Sequence, residues 1–127
     1  MLSSPIQVSS VITCAPNHKT IQLPLTIETT KQNIGTQALV DSGAEGIFIN
    51  RQFARENWIT TKPLGQRIIA RNVDDTVNKQ GIIDRYAELD IEVGGKKLKE
   101  RFLVTDLGKT PVILGLPWLA KHNPRID

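Results

Sequence analysis

From Thr20 to Glu28 the apolar residues Ile21, Leu23, Leu25 and Ile27 alternate with Thr20, Gln22, Thr26 and Glu28. This period of two commits the segment to a strand with one face on a core. Ala87, Leu89, Ile91 and Val93 repeat the pattern, and no segment carries the periodicity of a long amphipathic helix. Pro24 marks an edge strand, because proline has no N–H to give a second neighbour. A polar turn over Lys31–Gly35 leads into a returning strand, Thr36–Val40, and Gly94-Gly95 turns the chain between Ala87–Val93 and Lys96–Val104. Arg67–Val73 and Gly81–Ile83 flank the polar stretch Asp74–Lys79, as two strands flank the tip of a projecting hairpin. Asn50 is placed to cap a short helix running to Asn57, and Pro117 to open another through His122, with Trp118 and Leu119 facing inward. Many short strands and two short helices predict an all-β domain. The Ser-, Thr- and Pro-rich residues 1–19 read as a linker or one outer strand, and residues 20–127 as the domain.

At 127 residues the chain has room for one domain, and 39% hydrophobic with 23% charged residues is the balance of a folded globule. A formal charge of +3 is too small to name a partner by itself. The single cysteine, Cys14, excludes an internal disulfide and fits a reducing compartment. No apolar window approaches the roughly 20 residues that span a bilayer, so no membrane partner is expected. His18 and His122 are the only histidines and neither stands in a metal-ligand spacing, and no glycine-rich phosphate loop is present. Neither a metal nor another cofactor is expected. Pro16 opposes the helix that would join Cys14 to His18. Lys96, Lys97, Lys99 and Arg101 read as guards of an exposed strand edge rather than as a nucleic-acid surface.

The chemistry concentrates in Leu39-Val40-Asp41-Ser42-Gly43-Ala44, where an apolar strand delivers a carboxylate to a tight turn and glycine admits close backbone approach. About 70 residues later Val112-Ile113-Leu114-Gly115 again stops an apolar strand on glycine. With Ala38–Ala44, Asn72-Val73-Asp74-Asp75-Thr76 and Val112–Leu119 followed by Lys121–Pro124, the chain resembles the retropepsin family. It is most similar there to the protease of gypsy-type LTR retrotransposons, fungal ones in particular. The resemblance spans residues 20–127 and implies a retropepsin-like acid protease half-barrel with a flap hairpin and one or two short helices. It makes Asp41 the catalytic residue, Ser42, Gly43, Ala44 and Gly115 its support, and Asn72, Val73, Asp74, Asp75, Thr76 and Val77 the flap over the substrate; Ile47, Val73, Val77 and Ile82 read as pocket walls or, equally, as ordinary core. It also implies an aspartic endopeptidase that cleaves a Gag-Pol polyprotein in a cytoplasmic retroelement particle.

Peptide hydrolysis of this kind needs two carboxylates sharing a proton, and the chain holds one D-S-G. The second aspartate is therefore expected from a twin subunit. Glu45 stands where the family often has a small hydroxyl residue, and reads as solvent-facing; Asp75 stands where the flap often has glycine. These two departures keep a second reading open, a catalytically weak or inactive module for dimerisation or peptide binding.

Overall fold

The computed structural model describes residues 6–9, 20–71, 77–115, Trp118 and Lys121, and of residues 6–9, 70–71 and 77–81 the backbone. In chain order it contains β1 (Ile6–Ser9), β2 (Thr20–Glu28), β3 (Asn33–Asp41), β4 (Ile47–Asn50), α1 (Arg51–Glu56), β5 (Lys62–Arg71), β6 (Val77–Val93), β7 (Lys96–Thr105) and β8 (Val112–Leu114). The strands form one sheet in the order β1-β5-β6-β2-β3-β8-β4-β7, and β7 pairs back onto β6. That last pairing closes β6, β2, β3, β8, β4 and β7 into a six-strand barrel, which removes the open edges a flat sheet would leave. Strands β5 and β1 extend outward from β6, β1 running parallel to β5.

The alternation read in β2 is realised: Leu25 and Ile27 are buried, and the antiparallel ladder with β3 runs from Thr20 opposite Asp41 to Glu28 opposite Asn33. Over Leu25–Glu28 the strand also pairs with β6, whereas over Thr20–Pro24 its strand neighbour among the described residues is β3. Pro24 is exposed on that open side, where its missing N–H costs no ladder bond.

Strand β6 is longer than the sequence suggests. It runs unbroken from Val77 to Val93 and joins the flap-side segment to the alternating run Ala87–Val93. Its neighbours change along its length: β5 accompanies Val77–Tyr86, and β7 accompanies Tyr86–Val93. Ile83, Ala87, Leu89, Ile91 and Val93 share one buried face, while Ile82 points the other way and is exposed.

Strand β7 is a barrel strand, not a sheet edge, and this corrects the reading of its lysines as edge guards. Across the β6–β7 ladder Lys99 faces Asp90 at 4.0 Å and Arg101 faces Glu88 at 3.9 Å, and Lys97 reaches Glu28 of β2 at 3.4 Å. Three of the four cations are thus matched by carboxylates, so this strand presents no uniform basic face.

The interior has two parts. The larger packs Leu25, Ile27, Ile91, Phe102 and Trp118 through the barrel. The smaller gathers Ala44, Phe48, Ile83 and Ile113 beneath the Asp41 turn. Phe48 and Phe102 are fully buried, each contributing about 1.5–3 kcal/mol through lost contact with water.

Asn50 does not act as expected. It precedes α1 in extended conformation but makes no side-chain cap bond. Its amide Nδ2 instead donates to the Gly108 carbonyl at 2.8 Å, its Oδ1 accepts from Leu107 N–H at 3.4 Å, and its own N–H donates to Pro111 O at 2.8 Å. The buried side chain thereby ties the β7–β8 connection to β4. Near the C-terminus Trp118 and Lys121 are helical, and the rest of the helix expected over Pro117–His122 lies outside the described residues. Trp118 is buried, and Lys121 Nζ bonds the buried carboxylate of Glu100 at 2.8 Å.

Candidate active site

Strand β8 creates the site by lying between β3 and β4. It pairs parallel to β3, with Ala38, Leu39 and Val40 opposite Val112, Ile113 and Leu114, and antiparallel to β4, with Ile47, Phe48 and Ile49 opposite Leu114, Ile113 and Val112. The chain leaving β3 at Asp41 must therefore pass over the end of β8 to begin β4. Asp41-Ser42-Gly43-Ala44-Glu45-Gly46 is that bridge, and Gly115 lies directly below it.

Two bonds shape the first half of the bridge. Gly43 N–H donates to Asp41 Oδ1 at 2.8 Å, and Ala44 N–H donates to the Asp41 carbonyl at 3.1 Å, so side chain and backbone of one aspartate set the turn together. Asp41 is 2% exposed in the single chain. A buried carboxylate holding a backbone N–H has a fixed direction, which a surface aspartate lacks.

Gly115 secures the second half. Its N–H donates to Gly46 O at 3.0 Å, and its carbonyl accepts from Trp118 N–H at 3.1 Å, linking the bridge to the C-terminal helix. A Cβ on Gly115 would overlap the carbonyl oxygens of Ala44 and Gly46, so only glycine allows β8 to come this close. Gly46 contributes in the same way, since a Cβ there would stand 2.6 Å from the Phe48 ring. Gly46 is a supporting residue that the motif alone does not identify. Its sequence signal is a glycine immediately before the apolar run Ile47–Ile49.

Of the residues assigned from the sequence, the fold brings Asp41, Ser42, Gly43, Ala44 and Gly115 together. Glu45 is exposed. Asn72, Val73, Asp74, Asp75 and Thr76 lie outside the described residues, and Val77 begins β6 with its side chain likewise outside them. Of the pocket walls, Ile47 packs partly buried against the main core and Ile82 is exposed. Cys14, His18 and His122 fall outside the described residues. Among the described residues no group of His, Cys, Asp and Glu is placed to hold a metal ion, and no helix is long and apolar enough to cross a membrane.

A strand drawn between two others, with an aspartate turn bridging its end, is the arrangement of the retroviral protease fold. The crystal structure of the retroviral protease-like domain of Ddi1 from Leishmania major is similar to it with a TM-score of 0.54, at 20% sequence identity, over 86% of this chain and 80% of that one. The domain is thus an all-β, retropepsin-like fold. Residues 37–127, which include the Asp41 bridge, β8 and Gly115, match the PEG10/RTL1 protease domain, and the chain belongs to that family.

Proposed function

We propose that the protein is an aspartic endopeptidase that works as a homodimer, each subunit supplying one Asp41. The observation that carries this reading is the fixed Asp41 carboxylate, held by Gly43 N–H on a bridge that Gly115 packs from below. In this mechanism the two Asp41 side chains meet across a two-fold axis and share one proton, because like charges this close disfavour double ionisation. The ionised member takes a proton from water as the water oxygen attacks the peptide carbonyl carbon, and the protonated member gives its proton to the carbonyl oxygen. A tetrahedral diol forms, a proton passes to the amide nitrogen, and the C–N bond breaks. The substrate lies extended, its backbone hydrogen-bonded and its alternate side chains in pockets beneath a flap formed by residues 72–77.

The finer assignment rests on the resemblance of the Asp41, Asn72–Thr76 and Val112–Leu119 blocks to gypsy-type retrotransposon proteases. On that reading the substrate is a Gag-Pol polyprotein and the setting a cytoplasmic retroelement particle.

The test compares the wild type with Asp41→Asn on a polyprotein substrate. The substitution keeps the shape and the acceptor for Gly43 N–H but removes the acid, and cleavage should fall by about a hundred- to ten-thousandfold. A second reading, a module that binds or dimerises without hydrolysis, draws on the burial of Asp41 in the single chain. Cleavage by neither protein would favour it, and equal cleavage by both would overturn the assignment of Asp41 as the catalytic acid.

A further inference from the structure

We infer that the outer edge of β5 over residues 68–71 is a strand-addition site for an extended peptide, and that the chain's own Ile6–Ser9 holds it as an internal competitor. Strand β1 lies parallel to β5, with Ile6 opposite Ile68, Gln7 opposite Ile69, Val8 opposite Ala70 and Ser9 opposite Arg71. A backbone is thus already seated on this edge, and its pairing defines the geometry that an incoming peptide would adopt. The occupant alternates apolar and polar residues, Ile6 and Val8 with Gln7 and Ser9, so an extended segment of the same alternation is the class the edge takes.

The occupant is weakly held. It stands outside the six-strand barrel at the end of the sheet, and β5 is its one strand neighbour among the described residues. Four residues in a parallel ladder form only a handful of bonds. Their net gain is of the same size as the backbone freedom lost in ordering those residues. The strand beneath is itself irregular, since the register of β5 on β6 shifts between Pro63 and Ile68 and again between Ile69 and Arg71. A peptide that offers the same backbone bonds can therefore replace β1.

The position of this edge gives the exchange its consequence. Ile68 packs against the small cluster that holds Ala44 of the Asp41 bridge, and β5 leads into the segment assigned to the flap. A substrate bonded through its backbone beside Asp41 would add to β5 here, and must first displace β1. That consequence for cleavage rests on the proposed function, whereas the strand exchange does not.

The test uses the full chain with Gln7→Pro/Val8→Pro. Successive N–H groups of a strand point to opposite edges, so one of the two lost donors faces β5 in either phase of the ladder. Hydrogen exchange over residues 68–71 should rise about tenfold while the melting point stays unchanged. A labelled peptide with the sequence of residues 3–12, followed by anisotropy, should bind the variant about tenfold more tightly than the wild type and restore the protection. The same peptide with proline at both positions should not bind. On a short polyprotein peptide the variant should lower KM by about the same factor and leave kcat unaltered. Faster exchange and tighter peptide binding in a chain that cleaves nothing would uphold the strand site and overturn the protease reading. Unchanged exchange over residues 68–71, equal peptide affinity in the two proteins, cleavage with equal KM, or a lowered melting point without tighter peptide binding would each overturn the proposal.

Discussion

A methyl group on Gly115 would collide with two backbone carbonyls, and backbone atoms cannot swing aside as the tip of a long side chain can. Gly115→Ala should therefore destabilise the domain by about 3 kcal/mol, at the upper end for overpacking, read as a lowered denaturant midpoint with unchanged slope. Trp58 presents the opposite case. Relieving its left-handed backbone with Trp58→Gly should raise stability by about 1 kcal/mol in the same measurement. The two differ in how far sequence discloses them. The Asp41–Ala44 turn and the Val112–Gly115 strand end are legible because each is a short local rule, an apolar strand stopped by small or acidic turn residues. The end of the helix at Asn57 is legible too, but the left-handed backbone and the exposure of Trp58 are not, since tryptophan is not a residue that marks such a turn. Asn50 is intermediate: its place before a helix is visible, but the choice between capping α1 and bonding Gly108 is made by residues 58 positions away.

At the level of elements, that choice has a measurable signature. Asn50→Ala removes the partners of Gly108 O and Leu107 N–H and should cost about 1–3 kcal/mol, the loss expected when buried polar groups are left unmet. Hydrogen exchange should rise over the connection between β7 and β8 and leave α1 unchanged, whereas loss of a helix cap would fray α1 first. The charged ladder on β6 and β7 contributes less. Its members are largely exposed, so Glu88→Gln should change stability by less than about 1 kcal/mol, and less still in high salt. Strand β6 also shows why period-two reading falls short over long strands. Where the neighbour changes from β5 to β7, one side of the strand passes from a projecting hairpin to the barrel, and a strand whose surroundings change carries no uniform pattern from end to end.

For the whole molecule, the proposed mechanism places half of the reacting machinery on each subunit. Activity per chain should fall on dilution below the dimer dissociation constant, which progress curves across a concentration series would reveal. An inactive Asp41→Asn chain added in excess should suppress the wild type by forming mixed dimers. The all-β class and the buried positions of β2 and of Ala87–Val93 follow from pattern and spacing. How the barrel closes does not, because the pairings that close it join distant parts of the chain. Strand β8 holds β3 and β4 apart, yet it is made more than sixty residues after them. A growing polypeptide consequently carries Asp41 early, before the strand that supports its turn exists. Until the closing three-residue wedge has left the ribosome and slid between its hosts, there is nothing for the Asp41 loop to rest on. If the proposed function holds, biosynthetic order alone delays cleavage until β8 has been made.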